Sequence, residues 1–262
     1  EEQRYLASSS SFYRVMRKHH EMVHRGRAKP PQRRAKPTTY QATAPNQVWS
    51  WDCTWLGGPI KGQHYYLVMM VDIFSRKITS WEVFLAESAY NSRTVLERAV
   101  LAERIIDQPL VLHADNGSPF KGATLLEKLH ELGITPSFSR PRVSNDNPYS
   151  EALFRTCKYR PCYPTDGFAT LDNAREWVAG FVQWYNHEHR HSGIRLVTPA
   201  QRHAGEDKEV LAKRHVINQA ARDANPARWS GKTRNWTPIG TVSLNPEREL
   251  QVTVAEPEKQ VA

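Results

Sequence analysis

The sequence predicts a layered fold in which helices cover the faces of a five-stranded sheet. Two observations predict this fold class. From residue 47 three apolar segments with a period of two follow one another through short turns, and from residue 88 helical and strand segments alternate up to residue 140. Three antiparallel strands followed by helix, strand, helix and strand make an α/β or α+β sheet with helices on its faces.

The composition allows a sizeable core and favours a polyanionic partner. The chain has 262 residues, enough for one large domain or a domain with additions, and 39% of them are hydrophobic. The formal net charge is +9 and the isoelectric point about 9.5. This balance favours a polyanion as partner, although charge alone also fits any basic protein.

The apolar runs and the cysteines predict a cytoplasmic protein. The run at residues 65–71 is far too short to span a bilayer, which needs roughly 20 residues, and no signal peptide is visible. Cys53, Cys157 and Cys162 form no CxxC pair, which argues for reduced thiols and against a zinc site. Because the chain begins EEQRYL without a methionine, we expect a fragment or a trimmed form of a longer protein.

Residues 1–45 are strongly basic, with ten lysines and arginines against three acids. The serines at 8–11 ahead of FYRVMRKHH predict an N-capped basic helix, and residues 28–45 predict an extended Pro-rich segment. We interpret residues 1–30 as the end of a helix-turn-helix DNA-binding region and residues 31–45 as a linker; a solvated basic tail is the alternative. The candidate DNA contacts here are Arg14, Arg17, Lys18, Arg33 and Arg34.

The first strand of the sheet is predicted at VWSWDCTWL, residues 48–56. A period of two places its three tryptophans and Cys53 on one face, which we expect to be packed, and Asp52 on the other face. Residues 64–75 and 77–85 supply the second and third strands. The short turns between the three strands predict an antiparallel meander.

Helices and strands alternate after the meander. Residues 88–105 carry an apolar stripe that predicts a helix, and residues 109–117 predict a buried strand that ends in Asn-Gly. Residues 122–133 predict a second helix, which Gly133 ends, and residues 134–140 predict a fifth short strand.

A further helix is predicted to begin at Pro148, because Asn147 can cap it and proline fits the first helical position. Glu151 lies in its first turn. Residues 171–190 predict another helix with an aromatic face. The chain then ends in an extension, residues 206–262, with a charged helix and a β-hairpin.

Three acids stand at the ends of predicted elements: Asp52 on the first strand, Asp115 after the fourth strand and Glu151 at a helix start. A lone Asp52 could instead cap a turn or pair with an arginine, since a buried carboxylate without a partner is costly. Sites in open sheets gather at the carboxyl ends of strands. A first strand beside the fourth strand would therefore bring Asp52 next to Asp115.

The three carboxylates suggest a particular chemistry. Carboxylates without thiolates or a histidine cluster are hard oxygen ligands, which suit Mg²⁺ or Mn²⁺ rather than zinc. Two such ions roughly 3.5–4 Å apart can activate a nucleophile and stabilise the leaving oxygen of a phosphodiester. In a basic protein this cluster points to phosphoryl transfer on nucleic acid.

Three motifs and one spacing stand out between residues 46 and 205. The 35 residues 116–150 separate Asp115 from Glu151. HADNGSPF is similar to the second-Asp motif, and NDNPYSEALFRTCKYR to the third-acid motif, of the DDE signature shared by retroviral integrases and related bacterial transposases. WYNHEHRHSGIRLVTPAQ resembles the segment that follows in transposases of the insertion-sequence-three family. The resemblance covers roughly residues 46–205.

This resemblance implies a DDE transposase with a retroviral-integrase-like catalytic core at residues 46–205 and an RNase H-like α/β fold. It implies that Asp52, Asp115 and Glu151 are the catalytic triad and hold two Mg²⁺ or Mn²⁺ ions. The implied activity is that of a bacterial insertion-sequence transposase, which cuts element ends and joins the 3′-OH to target DNA.

The resemblance also implies the partners. These are transposon terminal inverted repeats, target DNA and further copies of the chain in a homodimer or higher oligomer, in a bacterial cytoplasm at the nucleoid. Two alternatives remain open at this point: a catalytically inactive DNA-binding derivative, and an RNase H-like nuclease without strand transfer.

Two basic residues accompany the third acid. Glu151, Arg155 and Lys158 share one helical face, because they are spaced i, i+4 and i+7. The two cations could hold DNA phosphates beside the active site. The alternative is a solvent-exposed face of ion pairs.

Other polar residues have less specific roles. Asn116 and Gly117 are predicted to shape the turn after the second aspartate; Gly117 would allow DNA to approach closely, and Asn116 is a candidate DNA contact. Asn147 is predicted to cap a helix rather than to read a base. Asp72, on the second strand, is either a further metal ligand or the cap of the turn before IFSRK.

Overall fold

The computed structural model describes residues 7–22, 38–106, 108–115, 117–140 and 146–246. The chain divides into two compact units, residues 1–36 and residues 37–262. The strands are β1 (Tyr40–Ala42), β2 (Val48–Gly57), β3 (His64–Asp72), β4 (Ile78–Phe84), β5 (Leu110–Ala114), β6 (Ile134–Phe138) and β7 (Val242–Leu244). The helices are α1 (Ser9–Lys18), α2 (Ala89–Ala102), α3 (Ala123–Glu131), α4 (Pro148–Lys158), α5 (Leu171–His187), α6 (Pro199–His203) and α7 (Asp207–Ala224).

The central sheet has five strands in the order β4-β3-β2-β5-β6. The pairs β2–β3 and β3–β4 are antiparallel, whereas β2–β5 and β5–β6 are parallel. Short turns can join only antiparallel neighbours, and helical crossovers such as α2 and α3 allow parallel ones. The predicted five-stranded mixed sheet flanked by helices is confirmed.

Apolar side chains cover both faces of the sheet. On one face Trp49 and Trp51 are buried against residues of α2 and α3. On the other face Leu67 and Met69 pack against α4 and α5. The prediction of a fully packed tryptophan face is wrong at its end, because Trp55 is 60% exposed and stacks on the ring of His64.

The N-terminal helix α1 has no buried residue. Ser8 occupies its N-cap position, but the side chain makes no capping hydrogen bond. Arg14, Arg17 and Lys18 are exposed on this helix. The predicted linker residues Arg33 and Arg34 lie outside the described part of the chain.

A small second sheet joins two distant parts of the chain. Strand β7 pairs antiparallel with β1, with Tyr40 opposite Leu244 and Ala42 opposite Val242. These residues pack with Val48 and Ile73, where β2 begins and just after β3 ends. The observed partner of β7 is therefore β1, and the second strand of the predicted C-terminal hairpin lies outside the described residues.

No helix in the described ranges is long and apolar enough to cross a membrane.

Asp72 is a buried turn cap. Its carboxylate accepts hydrogen bonds from the Ser75 amide at 2.6 Å, the Ser75 hydroxyl at 2.7 Å and the Asn46 amide at 2.8 Å. These donors compensate for the burial of the carboxylate. Of the two interpretations of Asp72, the structure supports the cap.

A polar network continues from Asp72 towards α6. The hydroxyl of Ser75 bonds to Nδ1 of His203 at 2.9 Å, and Nε2 of His203 lies 2.8 Å from Oε2 of Glu103. Lys77 donates to the other oxygen of Glu103 at 2.6 Å. Burial raises the pKa of Glu103, but the hydrogen bonds from His203 and Lys77 outweigh it and lower the pKa to about 2.

The Glu103 network is expected to make folding sensitive to acid. A carboxyl whose pKa is lowered by folding stabilises the protein above its ordinary pKa of 4.5, and this stabilisation is lost as the pH falls through about 2. We expect Glu103→Gln to cost about 1–2 kcal/mol near neutral pH, after allowance for solvent screening, and to flatten the acid dependence. Urea unfolding followed by tryptophan fluorescence at several pH values measures both effects. Exposed Glu176→Gln is the control, and an unchanged pH profile in Glu103→Gln would refute the assignment.

Candidate active site

The strand register brings the first two acids together. In the parallel pair β2–β5, Val48 lies opposite Val111 and Ser50 opposite His113. Continuing this register by two residues sets Asp52 beside Asp115, which directly follows the last residue of β5. The two carboxylates therefore lie at the carboxyl end of β5, as the sequence predicts.

Helix α4 brings Glu151 to the same end of the sheet. Its first turn is joined to β2 by a hydrogen bond of 2.7 Å between the hydroxyls of Ser50 and Ser150. The Ser50 hydroxyl also donates to Oδ1 of Asn147, and the Asn147 amide donates to the Trp51 carbonyl at 3.1 Å. These buried bonds attach the helix to the strand beside Asp52, and Glu151 follows Ser150 directly in the first turn.

The prediction that Asn147 caps α4 with its side chain is wrong. Asn147 does occupy the N-cap position, but its side chain makes no capping bond. Both ends of its amide are instead used to hold the helix to β2. A capping function and an attachment function need the same atoms, and the local sequence does not distinguish them.

The surroundings of Asp52 disfavour its charged form. Burial and the neighbouring charge of Asp115 raise the pKa of Asp52 to about 7; the hydrogen bond from the Cys53 amide opposes this, and the charges of Glu151 and Glu87 add to it. The amide bond to Oδ1 of Asp52 is 2.8 Å long. Negative charges that repel one another in a partly buried place favour a bound cation.

The donor set fits a hard divalent cation. Asp52 and Asp115 each use Oδ1 to accept a backbone amide, from Cys53 and Gly117 respectively, at 2.8 Å in both cases. Within the described ranges no group of three or more His, Cys, Asp or Glu side chains is already arranged to hold a metal ion. Glu151 is exposed, so packing does not fix its side chain, and it can turn towards the two aspartates.

Gly117 is required for space rather than for backbone conformation. Its φ of −58° is ordinary for any residue. A Cβ atom there would lie 2.9 Å from Oδ1 of Asp115 and 3.2 Å from the ring of Phe120. Glycine thus lets the backbone amide approach and orient the Asp115 carboxylate.

The two predicted cations of α4 lie in different surroundings. Lys158 is half-buried, burial lowers its pKa, and the negative charge of Asp52 opposes that shift. Arg155 is exposed, with its guanidinium 5.7 Å from the centre of the Tyr159 ring. Neither side chain forms an ion pair within the described ranges. Lys158 therefore lies close enough to Asp52 for the two charges to interact. Asn116, the other predicted DNA contact of this region, lies outside the described residues.

Glu87 is a neighbour of the site that the sequence analysis missed. It comes immediately before Ser88, which caps α2. Burial raises the pKa of the Cys53 thiol, and the negative charge of the nearby Glu87 raises it further. No local pattern distinguishes Glu87 from an ordinary surface glutamate, because its proximity to β2 depends on where α2 begins.

Two domain families match overlapping parts of this region. One, described as an integrase core domain, matches residues 42–144, and a second with the same description matches residues 132–199. Together the two matches cover residues 42–199. These matches and the sheet order confirm the predicted RNase H-like fold.

The chain is similar to curated insertion-sequence transposases. The chain is 31% identical to the transposase for IS904 of Lactococcus lactis, over 61% of this chain and 62% of that protein. It is 26% identical to the transposase InsF for IS3A of Escherichia coli, over 62% of this chain and 55% of that protein. The chain spans less than two thirds of the length of these relatives.

The solved structures that match the chain include viral integrases. A chain of the simian T-cell lymphotropic virus intasome matches with a TM-score of 0.48 and 18% identity, over 75% of this chain and 67% of that one. The catalytic core of HTLV-2 integrase, solved in complex with magnesium, matches with a TM-score of 0.42 and 22% identity, over 61% of this chain and 97% of that one.

Proposed function

We propose that the chain is the catalytic region of a bacterial insertion-sequence transposase. In this proposal it cuts DNA at the ends of the element and joins the freed 3′-OH to target DNA. The observation that supports it most is the register of β2 and β5, which sets Asp52 beside Asp115 within residues that match an integrase core domain. The similarity to curated insertion-sequence transposases supports the same conclusion.

The proposed cofactor is a pair of Mg²⁺ or Mn²⁺ ions, held by Asp52, Asp115 and Glu151. When bound, these ions supply Lewis acidity for activating water and for stabilising the oxygen that leaves. The amides of Cys53 and Gly117 orient the two aspartates. Helix α4 is attached to β2, so the backbone of Glu151 is held in a fixed position relative to Asp52 and Asp115.

The proposed partners are terminal inverted repeats and target DNA. Lys158, beside Asp52, is suited to hold a phosphate near the reacting bond, because burial strengthens its electrostatic field. Two ends must meet for joining, so we propose a homodimer or higher oligomer on DNA, in the bacterial cytoplasm at the nucleoid. The proposed DNA contacts are Arg155, Lys158, Asn116, Arg14, Arg17, Lys18, Arg33 and Arg34.

A cleavage and joining assay tests the proposal. The full chain and Asp115→Asn are compared on labelled element-end DNA with Mg²⁺ or Mn²⁺. We expect nicked and joined products from the unmodified chain and neither product from the variant. Cleavage without joining would favour a nuclease, and binding without chemistry would favour a DNA-binding derivative; both outcomes contradict the proposed transposase.

Gly117→Ala is expected to lower the rate of DNA cleavage by about 10²-fold, since displacing a catalytic group by about 1 Å has an effect of this size. The added methyl group would push the Asp115 carboxylate away from its amide partner. Thermal unfolding should change little, because the backbone conformation is ordinary. Gly180→Ala in α5, where a Cβ meets nothing within 4 Å, is the matched control. Full cleavage activity in Gly117→Ala would contradict the steric argument.

A further inference from the structure

A groove of about 590 Å³ runs between helix α7 and an extended segment, residues 232–238. We call it the α7 groove. It lies in the C-terminal extension, outside residues 42–199, which match the integrase core domain. Nothing in the proposed chemistry uses it.

One wall of the groove is a single face of α7. Lys208, His215 and Arg222 line it at intervals of seven residues, which is two helical turns, and Gln219 lies between the last two. From Lys208 to Arg222 the wall is about 21 Å long at a rise of about 1.5 Å per residue. Polar groups that can donate hydrogen bonds are therefore spread along the whole wall.

The other wall is the extended segment with Lys232 and Arg234. Trp236 anchors this segment, because its ring packs against buried Leu211 of α7 and its neighbours. The guanidinium groups of Arg214 and Arg234 lie 5.5 Å and 5.6 Å from the centre of the Trp236 ring. The wall is thus held against the helix without using its charges in ion pairs.

The charges of the groove are of one sign. Its lining includes four lysine and arginine side chains and no aspartate or glutamate. None of these four forms an ion pair within the described ranges, whereas Lys213 on another side of α7 pairs with Glu209 at 2.6 Å. Of the acids of α7, Asp207 is buried against Arg202 and Glu209 pairs with Lys213, while Asp223 accepts a hydrogen bond from the groove residue Gln219.

We propose that the α7 groove binds the sugar-phosphate backbone of DNA. The inference rests on the proposed function, which requires DNA to be held beyond the reacting phosphodiester. One strand of B-DNA advances about 3.4 Å per phosphate, so a groove about 21 Å long spans about six phosphates. Cations and neutral hydrogen-bond donors on both walls suit phosphate oxygens and carry no sequence readout. The groove therefore adds affinity without sequence preference.

The test measures binding separately from chemistry. The full chain is titrated into a fluorescent duplex of random sequence, about 20 base pairs long, in EDTA at several salt concentrations. The groove variants are Lys232→Ala/Arg234→Ala on one wall and Lys208→Ala/Arg222→Ala on the other. The control, Arg104→Ala/Lys213→Ala, removes two exposed cations outside the groove. Circular dichroism and thermal unfolding establish that all variants fold.

Each groove variant is expected to weaken binding about tenfold or more and to reduce the slope of log K against log salt by about 2, one unit for each lost phosphate contact. The control should match the unmodified chain. Unchanged affinity and slope in both groove variants would overturn the inference. The inference would also be overturned if a labelled polyglutamate peptide bound more tightly than DNA and only the groove variants lost this binding. Such a result would assign the groove to an acidic protein segment.

The two proposals fail in distinguishable ways. If the chain lacks transposase activity, the unmodified protein gives no products with Mg²⁺, while the binding result in EDTA is unaffected. If the groove does not bind DNA, cleavage still depends on Asp115 while the groove variants bind like the unmodified chain.

Discussion

Replacing Asp52 with asparagine is expected to abolish DNA cleavage and to leave the metal-free protein at least as stable as the unmodified chain. The loss of a carboxylate ligand removes several kcal/mol of transition-state stabilisation, which corresponds to about 10³-fold or more in rate. Asparagine keeps the shape of the side chain and can still accept the Cys53 amide through its carbonyl oxygen.

The expected gain in stability has an electrostatic cause. The Asp52 carboxylate is half-buried and lies close to the negative charges of Asp115 and Glu151. Removing its charge relieves desolvation and repulsion together. Cleavage assays with Mg²⁺ and thermal unfolding in EDTA measure the two effects on the same preparations.

Asp166→Asn is the control for this prediction, because Asp166 is exposed in a turn. It should cleave and unfold like the unmodified chain. Retained cleavage in Asp52→Asn would remove Asp52 from the proposed triad. A clear fall in the melting temperature of Asp52→Asn would show that the charge of Asp52 stabilises the fold.

Arg202 is expected to have the largest effect on stability. Its side chain is fully buried, and Nε donates to the Phe74 carbonyl at 2.7 Å and Nη2 to the Ile239 carbonyl at 2.9 Å. Its guanidinium also lies 4.1 Å from the centre of the Phe74 ring and pairs with Asp207 at 3.4 Å. One side chain thus joins α6 to the turn after β3 and to the C-terminal segment.

Arg202→Met is expected to lower the free energy of unfolding by about 3–5 kcal/mol, because it leaves the Asp207 carboxylate buried without its partner and two carbonyls without donors. Urea unfolding measures the loss. Lysine should rescue little, since it cannot bond in several directions at once. Arg190→Met, at an exposed position that bonds only to Gln201 in the described part of the chain, should change stability by less than about 0.5 kcal/mol.

A double variant separates loss of the pair from loss of packing. Arg202→Met/Asp207→Leu removes both charges, so it should recover part of the stability that Arg202→Met loses. A double variant as unstable as the single one would show that the carbonyl bonds and the Phe74 contact dominate. A stable Arg202→Met would contradict the network as a whole.

Much of the candidate site could be predicted because its signals are local. The alternation in VWSWDCTWL sets Asp52 on the opposite side from Trp49 and Trp51, and the Asn-Pro pair starts α4 next to Glu151. Short turns and helical crossovers limit the strand order to a few arrangements, one of which sets Asp52 beside Asp115. The roles of the three acids remain predictions until the assays above are done.

Other features could not be predicted because they join residues far apart in the chain. Asn147 has the local sequence of a helix cap, yet it bonds to Ser50 and Trp51, 97 and 96 residues away. Trp55 continues a packed face by alternation, yet it is 60% exposed near the end of β2. Glu87 reaches the site only because α2 begins beside Cys53.

Periodicity, turns and capping act over a few residues, so the elements, the order of the meander and the spacing of the three acids follow from the local amino-acid pattern. Which polar groups are buried, and what they bond to, depends on how distant parts of the chain pack. Asp72 and Arg202 show the reason: a buried charge is tolerated only where several distant donors or acceptors converge. That convergence depends on packing, as does the groove that α7 forms with residues 232–238.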